Sequence, residues 1–221
     1  MKRLMLVCGI AATILGYASS ASAGAIIRSV DGLAMPWVWI NGGLNDSFQY
    51  GILDGLSPTV VDAGDGIAVV AGNTIDVVYL TGLTSAFGGV PYSDAAGDTA
   101  YDASDNPGST GTFFPSLYLS PYPIYLNALV GTFADVTGTI VGTPFHIGPG
   151  GSFLVPLGAT QLQLGVNDDL FADNTGSLAV CVSDAGECLA AVPEPVSASL
   201  LALGLSGLAA RAVRRRRRRR A

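Results

Sequence analysis

The residues best equipped for chemistry lie in one stretch, Leu164-Gly165-Val166-Asn167-Asp168-Asp169-Leu170-Phe171-Ala172-Asp173-Asn174-Thr175-Gly176-Ser177-Leu178. Asp168, Asp169, Asp173 and Asn174 fall within seven residues, between two apolar segments that read as strands. Carboxylate and amide oxygens gathered so closely repel one another unless a cation sits among them, and calcium takes six to eight such oxygens together with main-chain carbonyls. The order is not that of an EF-hand, because no Asp-x-Asp-x-Asp-Gly run with a terminal Glu is present. The same residues also suit a turn whose Asp and Asn side chains cap their own backbone.

Other chemistry finds less support. Asp168 and Asp169 are adjacent, so on a strand they would project to opposite faces and form no glycosidase pair. No Gly-x-Ser-x-Gly elbow occurs. The one histidine, His146, stands between Phe145 and Ile147 in a strand-like run, where a packed residue is expected. An enzyme is therefore not expected. Trp37 and Trp39 alternate along one predicted strand and would face the same side, as a sugar-stacking platform or as core.

Charge narrows the partners. Residues 24–192 hold sixteen acids against Arg28 alone, a net of about −15 within a chain whose formal charge is −6. That field repels phosphate backbones and excludes nucleic acid as a partner. It suits a solvated extracellular protein or one that binds cations. Cys181 and Cys188 flank Val-Ser-Asp-Ala-Gly-Glu and read as one structural disulfide across a Gly-containing turn.

The elements that must position these groups are short. Runs of β-branched and aromatic residues alternate with turn residues at roughly ten-residue intervals, and few windows sustain a helical period. The pattern predicts strands at 37–40, 48–53, 67–70, 74–81, 117–120, 126–133, 151–155, 161–166 and 178–183. About nine strands suggest an all-β, jelly-roll-like β-sandwich. Residues 87–115 stand apart, with three prolines and Asp94, Asp98, Asp102 and Asp105 but few periodic apolar positions. A connection of that length is expected to be functional, metal-ordered or mobile.

The ends read as addresses. Met1-Lys2-Arg3, an apolar run and Ala21-Ser22-Ala23 make a signal peptide over 1–23, with cleavage after Ala23 and the β-domain over 24–192. Residues 193–221 comprise Pro193-Glu194-Pro195, an apolar stretch suited to a short transmembrane helix, and Arg211 followed by Arg214 to Arg220. The arginines would stay on the cytoplasmic side. This three-part tail resembles the PEP-CTERM sorting signal. The resemblance implies transient inner-membrane anchoring, processing by an exosortase-type peptidase, and release to the surface or exterior of a Gram-negative bacterium that makes exopolysaccharide.

The body resembles the calcium-dependent galactophilic lectins of the PA-IL type over roughly residues 67–182. Asn167-Asp168, the loop 169–172 and Asp173-Asn174-Thr175-Gly176 correspond to that family's metal loop. Residues 75–82 with Ala86-Phe87-Gly88, and residues 126–131, look like its other strands. The resemblance implies a jelly roll in which Asp168, Asp173 and Asn174 give side-chain oxygens to Ca2+, Phe87 and a residue near Phe171 give main-chain oxygens, and the ion takes sugar hydroxyls. Two departures are visible: the loop after Asp168 is shorter than in the lectins, and no match to their sugar-contacting His and Gln occurs within 102–111. The expected function is a lectin-like module binding extracellular polysaccharide; the alternative is a structural matrix or surface protein with no defined sugar pocket.

Overall fold

Valine, isoleucine, threonine and leucine in short alternating runs pair as antiparallel strands. The computed structural model describes residues 24–39, 44–103, 107–120, 123–184, 186 and 188. The proposed signal peptide, the Pro193-Glu194-Pro195 triplet and the tail lie outside the described residues. Ten strands are described: β1 (Ala25–Asp31), β2 (Thr59–Asp62), β3 (Thr74–Ser85), β4 (Asp98–Asp102), β5 (Tyr125–Leu126), β6 (Leu129–Ala134), β7 (Phe145–His146), β8 (Gly150–Leu154), β9 (Gln161–Val166) and β10 (Thr175–Ser183). They form two four-stranded antiparallel sheets, β1-β10-β3-β8 and β2-β9-β6-β7, with β4-β5 as a separate two-stranded ribbon. The all-β expectation holds, and no described helix is long and apolar enough to cross a membrane.

The two sheets share one apolar core. Val30, Ile75, Val77, Leu178, Val180 and Val182 from the first meet Val61, Leu129, Phe133, Leu162 and Leu164 from the second. The second sheet is covered on its other side as well. Val130 and Val166 pack against Met35, Trp37, Tyr50, Ile124 and Phe171, which is why every residue of β6 is buried. A strand covered on both faces reads as an unbroken apolar run, as Leu129-Val130-Gly131-Thr132-Phe133-Ala134 does.

Several predicted strands do not form, and most of them contribute to that second layer. Trp37–Trp39 is irregular, residues 67–70 pair with no strand, and the runs at 48–53 and 117–120 follow or overlap 3-10 turns at Leu44–Phe48 and Pro115–Tyr118. Trp37, Tyr50 and Leu119 plug the outer face of a sheet, and Ile67 and Val69 enter the core between the sheets, without joining a ladder. Trp37 is fully buried, stacks edge-on against Tyr50 at 4.7 Å and donates its indole N–H to Phe48 O at 2.8 Å. The tryptophan pair is thus core for Trp37 and half-buried support for Trp39, and the sugar-platform reading falls. Residues 87–115 are not without structure either. Thr84 and Ser93 exchange two backbone hydrogen bonds, β4 pairs with β5, and Pro107 bridges Phe113.

The disulfide Cys181–Cys188 is formed, as expected, and both cysteines are buried. Arg28 pairs with Asp65. The aromatic layer yields a first prediction: Trp37→Ala removes the centre of that layer and should cost about 3–5 kcal/mol in urea unfolding. A loss below about 1 kcal/mol would mean that the layer is not integral to the fold.

Candidate functional site

The acidic loop 167–174 joins the end of β9 to the start of β10, and its geometry begins with Asn167. This residue is fully buried and uses all of its polar groups. Its N–H donates to Ala128 O at 2.9 Å, its carbonyl accepts from Asn127 N at 2.8 Å, its Oδ1 accepts from Ser116 N at 2.9 Å, and its Nδ2 donates to Tyr125 O at 3.0 Å. Asn127 holds a left-handed backbone, with φ of 63°. With its amide turned so that the oxygen faces them, it accepts from Ala86 N at 3.1 Å and Ser85 N at 3.3 Å. The two asparagines join the ends of β3, β5 and β9.

Asp168 follows directly and is 3% exposed. Its Oδ1 accepts from Asp169 N at 2.7 Å and Leu170 N at 3.2 Å, while Oδ2 is buried without a donor. Burial raises its pKa from 3.8 to about 7, against the opposing pull of those backbone donors and of the nearby Asn174 amide. That amide comes close enough to favour the charged carboxylate without forming a hydrogen bond of normal geometry. Asn174, 6% exposed, donates from Nδ2 to Gly32 O at 2.8 Å, and its Oδ1 is a second buried oxygen without a donor.

Asp169 serves a different purpose. Its Oδ2 accepts from Thr110 N at 2.8 Å and from Thr110 Oγ1 at 2.5 Å, pinning residues 107–113 over the loop. Gly108 makes this possible, since a Cβ there would lie 2.1 Å from the Asp169 carboxylate. Asp169 and Asp168 sit beyond the end of β9 and line the same cleft, so the opposite-face expectation for them does not hold. Asp173 is exposed at the rim, and its pKa is raised by partial desolvation and by the charges of Asp54 and Asp169. Asp54 was not foreseen. Its two oxygens accept from Phe171 N at 3.0 Å and Ala172 N at 3.1 Å, shaping the loop from outside. An Asp-Gly pair at 54–55 signals a turn but not its distant partner.

Phe87, just beyond β3, lines the same cleft with its side chain half exposed. Phe171 is buried in the aromatic layer, and its carbonyl accepts from Asn174 N at 3.0 Å to close the turn. Asp168, Asp173 and Phe87 therefore line one cleft at one end of the sandwich, with Asn174 buried beside Asp168 and outside the cleft lining. Among the described residues no three Asp, Glu, His or Cys side chains form a ready cation site. The buried convergence is instead one carboxylate with one amide. His146 lies on β7, the edge strand of the sheet that also holds β9, and burial pushes its imidazole pKa down. The cleft itself encloses about 500 Å3, within the range of roughly 300–1,000 Å3 usual for small-molecule sites.

A carboxyl that titrates higher in the folded than in the unfolded chain holds its proton more tightly when folded. Its stabilising effect is complete below about pH 4 and is lost as pH rises through about 7. Without divalent cations, the melting temperature should therefore fall between pH 5 and 8. Asp168→Asn should flatten that slope and raise the melting temperature at pH 8. An unchanged slope in the variant would assign the pH dependence elsewhere.

No protein-family model matches this chain, and no curated protein matches it either, so its own geometry must carry the functional reading.

Proposed function

We propose that this protein is an exported, calcium-binding, lectin-like module with a jelly-roll arrangement, which associates with extracellular polysaccharide. One observation carries the reading: Asp168 Oδ2 and Asn174 Oδ1 are two buried oxygens without donors on neighbouring side chains, and Asp168 lines the cleft. Buried acceptors left unpaired are costly, and a hard cation is the partner that satisfies carboxylate and amide oxygens together. Asp168 and Asn174 would hold the ion from within. Asp173 and Phe87 line the opening, and their oxygens, with a main-chain oxygen near Phe171, would complete the shell. A bound calcium would supply the positive charge that the site lacks and a point of attachment for sugar hydroxyls.

The residues fit such an ion better than they fit acid–base catalysis. A pKa near 7 is the property of a general acid, but the unpaired oxygen of Asp168 has no surface with which to reach a glycosidic bond. Asp169, the nearest second carboxylate in sequence, is occupied by Thr110. The signal peptide and the PEP-CTERM-like tail support export to the surface or exterior, with passage through the inner membrane and an exosortase-type peptidase on the way.

Isothermal calorimetry of the full chain with CaCl2 should detect one saturable site. Its affinity should weaken as pH falls below about 7, where calcium must displace a proton from Asp168. Asp168→Ala should abolish the binding. Calcium binding that survives this substitution would move the site elsewhere, and the absence of any calcium heat would leave a surface protein without this metal centre.

A further inference from the structure

The mouth of the cleft carries an aromatic pair that the acidic loop does not explain. Phe87, following β3, and Tyr101, on β4, lie with ring centroids 5.4 Å apart and planes tilted by 52°. Each is about half exposed, 46% and 50%, and both line the cleft. Beneath them Ala86, Ala103, Phe114 and Leu126 form a small apolar cluster of their own. Exposed rings on an apolar floor beside polar groups are the composition of a surface that packs on the C–H face of a pyranose.

The polar groups around the rings are of one sign. Asp102, Asp168, Asp169 and Asp173 line the cleft, whereas the only basic residue of the body, Arg28, is paired with Asp65. Four carboxylates and one divalent cation leave the cleft net negative, in a domain whose whole field is negative. Like charges brought together at a binding surface act as a filter against the wrong ligand.

Resting on the lectin-like reading above, we infer that the Phe87–Tyr101 pair is the sugar-stacking wall of this cleft, and that the surrounding carboxylates restrict it to neutral glycans. Polymers bearing uronate, sulfate or phosphate are excluded. The acidic β4 segment thereby takes the place of the polar sugar contacts that the sequence lacks.

The test uses the full chain in calcium buffer with two immobilised probes, a neutral galactomannan and a uronate polymer of similar length. Retention on the neutral probe alone is expected. Phe87→Ala and Tyr101→Ala should each weaken it about tenfold or more, and Tyr101→Ala should leave the calorimetric calcium affinity unchanged. Asp102→Asn should begin to admit the uronate polymer at low salt. Equal or stronger binding of the uronate polymer by the unaltered protein would overturn the charge filter while leaving a calcium lectin. Neutral binding indifferent to both aromatic variants would overturn the stacking wall on the same terms. Calcium binding with no retention on either probe would overturn this inference and the lectin reading together. Ring-dependent neutral binding without calcium would sustain the wall and remove the metal.

A separate observation concerns the other end of the domain. Gly24 N donates to Asp184 Oδ1 at 2.7 Å, and Asp184 Oδ2 accepts from Ala68 N at 2.7 Å. A side chain at position 24 would place its Cβ 2.4 Å from Gly66 O, so the site admits glycine alone. Cleavage after Ala23 would turn this amide into an α-ammonium group, charged at neutral pH. The geometry points to maturation completing an ion pair between the new N-terminus and Asp184, so that removing the leader strengthens the fold.

The body and tail contain no lysine, and an amine-reactive acetylating reagent can therefore modify only that terminal amine. Mass spectrometry of the exported protein should give Gly24 as its first residue. Acetylation should lower its melting temperature by about 2–4 °C or more, and Asp184→Asn should abolish the difference. Equal melting temperatures before and after acetylation, or a different first residue, would overturn the inference.

Discussion

The buried asparagine at the end of β9 is the joint on which the loop depends. Asn167 lies where water cannot substitute for a lost partner, and each of its four polar groups meets a backbone atom from another segment. An aspartate there would lack the donor that Tyr125 O requires, and a leucine would strand Ser116 N. Because Asp168 is the next residue, the fixed position of Asn167 also fixes where the first carboxylate points. Asn127 extends the joint to the end of β3 through Ser85 and Ala86. Phe87 is thereby positioned by the same network that positions Asp168, although the two are far apart in sequence.

Around this joint the fold tolerates a large excess of acidic over basic residues. Arg28, the one arginine among the described residues, is committed to Asp65 and is not spare for the loop. The chain manages its carboxylates by other means. Asp54, Asp168 and Asp169 take backbone N–H donors, which supply partial positive charge without a basic residue. What the backbone cannot reach, the second oxygen of Asp168, stays uncompensated at the base of the cleft.

The sequence showed the central strands well and their covering layer poorly. Gln161-Leu162-Gln163-Leu164 alternates, and β9 spans the predicted residues 161–166. The run 74–81 is a strand that continues to Ser85. By contrast, Trp37, Tyr50 and Tyr118 have strand-like neighbours but belong to irregular segments or short turns, because local pattern cannot distinguish an apolar residue in a ladder from one lying across it. β1 and β2 escaped notice, since Ile27 and Val60 face solvent and blur the alternation. At the site, residue spacing indicated the crowding of Asp168, Asp173 and Asn174. It could not indicate Asp54 or Thr110, whose parts arise from contacts more than fifty residues away in the chain.

β10 runs the length of its sheet between two unlike ends. Thr175 pairs with Ser85 beside the cleft, whereas Ser183 pairs with Ala25, so the chain enters and leaves the domain at one edge. Nine residues of strand, roughly 30 Å, separate that edge from the cleft. A tether attached to either terminus therefore holds the domain by its base and points the cleft away from whatever surface bears the tether, and cutting the tether changes the reach of the module without changing the face that it presents.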